Sequence, residues 1–250
     1  MGAPPIIAEF TDPRLVAVYD TINAYGPGEQ PDFYAQLAAE MGATTIVELG
    51  CGTGMVTCEL ARQGYRMIGV DPSPAMLEVA RQRPFGDQVR WIDGGADAIG
   101  APDADFAFMS GHVAQFFVTD ASWSAALTAL HGALRPGGRL SFESRNPEAR
   151  AWDGWTRAAS VWVDDPVTGR IETWTEVDDL RDGVLSYRNH YAFAATGEEL
   201  VSTAQLRFRT QAELNSSLAN ARFTIEHVYG DWAGRPVDPT RPELVVVATR

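Results

Sequence analysis

Glu48, Gly50, Gly52, Gly54 and Asp71 are the residues of this 250-residue chain whose types and spacing most directly specify a ligand. The stretch "VELGCGTG", Val47 to Gly54, sets a carboxylate just ahead of three glycines on alternate positions. Between a strand and a helix, such glycines let the backbone turn sharply and approach a ligand closely. A dinucleotide-binding turn has the rhythm G-x-G-x-x-G and rests phosphate oxygens on the helix N-terminus. Here the rhythm is G-x-G-x-G, and Met55 stands where the third dinucleotide glycine would fall. Glu48 would add negative charge beside a pyrophosphate, but it suits a cationic amine. Asp71 follows the first glycine by about twenty residues, where an acid accepts both ribose hydroxyls. The set fits a nucleoside that carries an amino acid in place of phosphates. The plainer readings are a strand-to-helix turn for the loop and a helix cap for Asp71-Pro72-Ser73.

Positioning these residues takes alternating strands and helices. "TTIVELG", "YRMIGVD", "QVRWID", "ADFAFMS" and "GRLSFES" are strand-length apolar runs. "MVTCELARQG" and "SPAMLEVARQR" lie between them as helices, the second capped by Ser73 with Pro74 at its first position. "DASWSAALTALHGALRPGG" is a further helix, with Asp120 as its expected cap and a Gly/Pro stop. This alternation implies an α/β, doubly wound, mostly parallel Rossmann-like sheet. After about residue 150 the pattern changes to apolar/polar alternation with turns at Thr168-Gly169, Asp182-Gly183 and Thr196-Gly197, the mark of antiparallel strands. The parallel style resumes with "TQAELNSSLANA", which carries a Thr210/Glu213 capping box, and closes with strands "FTIEHVYGD" and "ELVVVATR". The expected organisation is N-terminal lid helices over 1–43, an α/β domain over 44–150 and 209–250, and an antiparallel β insertion over 151–208.

Composition narrows the partners. Net charge is −13, and all 20 basic residues are Arg. That field repels nucleic acid, and no basic run offsets it. Without Lys there is no P-loop lysine and no Schiff-base lysine. Cys51 and Cys58 form neither a disulfide framework nor a zinc site and suit a reducing compartment. No leader-like or membrane-spanning apolar run appears, and Ile6 does not complete a myristoylation signal at Gly2. A cytoplasmic protein acting on a small molecule is expected, with neither nucleic acid nor membrane as partner.

"VELGCGTG", "GVDPSPAMLEVARQR", "WIDGGADAIG", "ADFAFMS" and "ALRPGGRLSFES", in this order over roughly residues 44–145, resemble the class I S-adenosylmethionine-dependent methyltransferases. The resemblance implies S-adenosyl-L-methionine as cofactor. It puts Glu48, Gly50, Cys51 and Gly52 around the methionine moiety, Asp71 on the ribose, and Pro72 and Met76 along the adenine. Ala96 would offer a backbone N–H to the base, Ser110 and His112 would pass near the sulfonium, and Tyr19 would belong to a lid over the methionine end. Members often read Gly-Asp-Ala where this chain reads Gly94-Gly95-Ala96. The adenine-binding acid then shifts to Asp97, or to Asp93.

Methyl transfer from a sulfonium is an in-line displacement, so the protein mainly aligns the acceptor and sometimes removes a proton. His112 is the candidate general base, a structural histidine being the alternative. Arg145 is the candidate clamp for an acceptor carboxylate, or else a bond to the insertion. Glu143, Asn146 and Trp152 lie in the same stretch, and His190 reads as a cross-strand residue. The antiparallel insertion and "VYDTINAY" resemble the small-molecule branch, including sugar N-methyltransferases, in which the insertion covers the acceptor or joins two subunits. An N- or O-methyltransferase of a small metabolite, as a monomer or homodimer and without a metal, is expected. An NAD(P)-dependent oxidoreductase and a non-catalytic binding module with this fold are the alternatives.

Overall fold

The computed structural model describes residues 7–26 and 30–250. The leader and myristoylation readings fall on residues 1–6, outside the described residues. The amino-terminal helices are α1 (Pro13–Ile22) and α2 (Gln30–Glu40). The alternating region follows as β1 (Thr45–Leu49), α3 (Met55–Arg62), β2 (Arg66–Asp71), α4 (Pro74–Gln82), β3 (Arg90–Asp93), β4 (Ala104–Met109), α5 (Asp120–Ala133) and β5 (Leu134–Arg145). Four strands come next: β6 (Val161–Asp165), β7 (Gly169–Arg181), β8 (Val184–Phe193) and β9 (Glu199–Arg207). The chain closes with α6 (Gln211–Asn220), β10 (Thr224–Tyr229) and β11 (Glu243–Thr249).

Seven strands form the main sheet in the order β10-β11-β5-β4-β1-β2-β3. The neighbours from β5 to β3 are parallel. The closing strands depart from the expected parallel style, because β11 runs antiparallel to both β5 and β10. Joined to β10 by a loop without a crossover helix, β11 has to reverse direction. Alternate residues feed opposite faces. Val47 and Leu49 join the cluster under α5 and α6, while Ile46 joins the one under α2 and α3. Glu48 therefore faces the α2/α3 side, among apolar neighbours.

Local signals decide most helix ends. Ser73 caps α4, its Oγ accepting from Met76 N at 3.3 Å, and the Thr210/Glu213 box closes on α6 as the spacing requires. At α5 the cap is Thr119 and not Asp120: Thr119 Oγ1 accepts from Ser122 N at 3.1 Å, and Asp120 is the first helical residue. Thr119 has the extended backbone that a cap needs. The Leu134–Gly138 stretch is also not a simple stop, since it begins β5.

The second sheet is antiparallel in the order β6-β7-β8-β9. It supports α1, whose Leu15 and Val18 pack on Ile171, Tyr191 and Phe193. Thr21 on α1 donates to Asp165 at 2.9 Å. The insertion thereby fixes where the first helix lies relative to the glycine loop. Among the described residues no helix is long and apolar enough to cross a membrane.

Candidate functional site

The reversal of strand order between β1 and β4 opens a crevice at their C-terminal ends, the place where open α/β sheets bind ligands. A cavity partly open to solvent lies there. Tyr19, Glu48, Gly50, Cys51, Gly52, Asp71, Pro72, Met76, Ala96 and Ser110 all line it. Phe10, Tyr25, Val113, Phe116 and Phe117 add an apolar, mostly aromatic end. Of the described residues on its walls, none is basic.

Glu48 is 1% exposed. Its carboxylate accepts from Ser110 Oγ at 2.6 Å and from Thr57 Oγ1 on α3. Burial pushes its pKa up to about 7, against the pull of those two hydroxyls. No ion pair to Glu48 occurs among the described residues. A buried carboxylate held only by neutral donors is costly when charged, and a cation supplied by a ligand removes the cost. Asp71 ends β2 with Oδ2 on Gly52 N and Oδ1 on Ser73 N, both at 2.8 Å. Burial raises its pKa, and the two N–H bonds oppose that rise. Each carboxylate oxygen keeps a lone pair for a further donor. Cys51 is a packed thiol whose pKa burial raises, which is not the state of a nucleophile.

The segment from Phe10 through α1 is tied down at two points. Ser73 Oγ donates to Phe10 O at 2.5 Å. Asp20, beside Tyr19 on α1, accepts from Thr53 Oγ1 at 2.5 Å and pairs with Arg83, whose Nε donates to Thr53 O at 3.0 Å. The glycine loop, the end of α4 and α1 thus share one network. Arg83, Thr57, Phe10 and Phe117 escaped the sequence reading. Each joins the site through tertiary packing; Arg83 ends the quoted stretch after β2, but nothing local marks its reach to Asp20 and Thr53.

Four expected residues, His112, Arg145, Asp97 and its alternative Asp93, are not brought to the cavity. His112 turns away from it: its backbone is left-handed at φ 60°, and its Nε2 lies 3.0 and 3.1 Å from the Glu243 carboxylate. Burial, and then the Arg145 charge, lower its pKa, so the ring is a neutral donor to Glu243. Arg145 donates to Gln115 Oε1 at 2.9 Å and lies over Trp155, 5.4 Å from the ring centroid. Asp97 is exposed in a short turn whose neighbours Gly95 and Ala96 face the cavity, and Asp93 at the end of β3 is exposed as well. His190 stacks on its cross-strand partner Trp174 at 4.5 Å and bonds Glu199 at 2.7 Å, as a sheet residue would.

Comparison with known proteins gives a consistent picture. The family described as "Methyltransferase domain" matches residues 46–138. A demethylmenaquinone methyltransferase of Thermus thermophilus is 36% identical over 108 residues, 42% of this chain and 48% of that protein. The chain therefore spans about half the length of that relative. One of Tropheryma whipplei is 30% identical over 193 residues, covering 67% of this chain and 77% of that protein. Among solved structures, an amino pentose methyltransferase of Micromonospora echinaspora with S-adenosylmethionine bound superposes with a TM-score of 0.69. At 23% identity, covering 94% of this chain and 95% of that one, this likeness concerns the fold.

Proposed function

We propose that this chain, which belongs to the class I S-adenosylmethionine-dependent methyltransferases, transfers a methyl group to an amine nitrogen of a small metabolite. The buried Glu48 carboxylate, without an ion-pair partner among the described residues, carries the cofactor part of this reading, and a cavity wall with no basic residue among the described ones carries the acceptor part. Such a cavity gives an acceptor carboxylate or phosphate no counter-charge, whereas an amine, which accepts a methyl group only as the uncharged free base, needs none. By its name, the amino pentose enzyme acts on a substrate that carries an amine, which is in keeping with this reading.

The residues present fit the cofactor. Glu48, with Gly50 and Gly52, would hold the ammonium end, Asp71 the ribose hydroxyls, and Pro72, Met76, Gly95 and Ala96 the base. When bound, the cofactor supplies an electrophilic methyl on a sulfonium. Ser110 and Tyr25 border the methionine end, and Phe10, Tyr19 and Phe116 orient the acceptor and exclude water. Alignment by these walls is the main contribution, as expected where the donor is already activated.

Two outcomes follow. An ammonium binds the ionised form of Glu48, so cofactor affinity weakens as pH falls through about 7. The expected loss between pH 8 and pH 6 is about tenfold by calorimetric titration. His112 stands outside the cavity, so His112→Asn, which tolerates the left-handed turn, keeps kcat within about fivefold. A fall of ~100-fold or more would restore the general-base role to it. The reaction itself is tested by incubating the chain with labelled S-adenosylmethionine and matched panels of primary amines, alcohols and carboxylates. Label in the amine panel supports the reading, label confined to alcohols moves the acceptor atom to oxygen, and label in none of the panels contradicts it.

A further inference from the structure

Three buried oxygen atoms meet behind the turn that carries Ser110 and Gly111 to the cavity. Tyr34 Oη on α2 lies 3.1 Å from Met109 O at the end of β4 and also bonds Glu143 Oε2 on β5. The other carboxyl oxygen, Oε1, accepts the His112 N–H at 2.7 Å. Tyr34 and Glu143 are both 0% exposed, and neither lines the cavity.

Proton counting decides the state of this group. A carbonyl oxygen only accepts, and an ionised carboxylate only accepts. The tyrosine owns one hydroxyl proton, yet its oxygen sits between two such acceptors. A row of two hydrogen bonds, from Glu143 to Tyr34 to Met109, needs two protons, and the carboxyl is the only place for the second. We propose that Glu143 is carried as the neutral acid, donating to Tyr34 Oη while Tyr34 donates to Met109 O, and that it is a positioning residue for the Ser110–His112 turn. The row joins α2, β4 and β5 at the back of the transfer centre, so the catalytic part of this proposal rests on the methyltransferase reading.

The surroundings agree. Glu243 on β11 disfavours a further negative charge on Glu143, against the pull of the Tyr34 hydroxyl and the His112 N–H. Arg145, the cation at the end of β5, is directed to Gln115, and the His112 ring is neutral and directed to Glu243. Burial pushes the Glu143 pKa up to about 8. For an acid whose folded pKa is raised, stability is greatest below its unfolded value and declines as pH rises towards the folded one.

Glu143→Gln keeps both links, since a carboxamide donates through Nε2 and accepts through Oε1. Its expected kcat and KM lie within about threefold of the unaltered chain, whereas Glu143→Ala loses ~30-fold or more in kcat through misplacement of the turn. In the ligand-free protein at pH 7, the infrared difference between the unaltered chain and Glu143→Gln is expected to contain the carbonyl stretch of a protonated carboxyl. That band should be lost in alkali, and the decline in stability over the same range should flatten in the Gln variant. An ionised-carboxylate band in place of the protonated one, or a Gln variant as impaired as the Ala variant, would overturn the proposal. The infrared result needs no turnover, so it stands apart from any failure of the methyltransferase reading.

Discussion

Glu48→Gln is expected to weaken binding of S-adenosylmethionine by about 100-fold, ~3 kcal/mol, while leaving the empty protein as stable as before or more so. The two halves of this result have one cause. With no ligand, the carboxylate is buried with only Thr57 and Ser110 as donors, and its pKa rises to about 7. A raised acid binds its proton more tightly in the folded state. Folding stability therefore falls as pH climbs from the unfolded value towards 7 and is level above it. At pH 8 the Gln variant escapes that loss, worth up to ~3 kcal/mol. Both hydroxyls can accept as well as donate, so they can still bond the carboxamide. What disappears is the charge that an ammonium needs. Calorimetry and thermal melting of the two proteins at pH 8 check both halves. Unchanged affinity, or affinity and stability falling together, would show that Glu48 is structural.

Gly50→Ala is expected to lower stability by ~2–3 kcal/mol, with a melting midpoint roughly 5–10 °C down, and to abolish measurable cofactor binding. Gly50 has φ 78°, and an added Cβ would stand 2.5 Å from Val113 Cγ2 and 2.6 Å from Cγ1. The β-branched valine has little freedom to turn aside. The loop or the turn after β4 must give way, and both wall the cavity. Gly64 supplies the control, having φ 95° and no atom within 4 Å of its added Cβ. Gly64→Ala should show only the backbone cost, about 1–2 kcal/mol, with binding intact. In Gly50→Ala/Val113→Ala the steric part should return and the backbone part remain. Melting curves and titrations of the four proteins read this directly.

The glycine loop, Asp71 and the strand–helix alternation were legible because each rests on local chemistry: backbone freedom at glycine, a strand-end acid, a hydrophobic period. The partners of Glu48 were not. Thr57 lies on the next helix and Ser110 at the end of β4, and only the stacking of β1 beside β4 under α3 brings them together. His112 shows the limit of reading a role from a strand end. Its place after β4 suggested the reaction centre, but a left-handed backbone at that residue sends the ring to Glu243 on β11. Histidine does not announce such a conformation as glycine does. Asp97 missed the cavity by one position, because a 3-10 turn over Ala96–Ala98 shows Ala96 to the cavity and Asp97 to solvent. The antiparallel sheet was legible from its alternation and turns. Its hold on α1, and so the placing of Tyr19 and Asp20 over the loop, depends on packing between segments far apart in the chain.

Calorimetric titration of the unaltered chain at pH 8 with S-adenosylmethionine, beside an identical titration with NADH, puts the electrostatics of the Glu48 corner to the most direct test. The predicted result is saturable heat with the sulfonium nucleoside and none with the dinucleotide. Saturable heat with NADH, and none with S-adenosylmethionine, would contradict it.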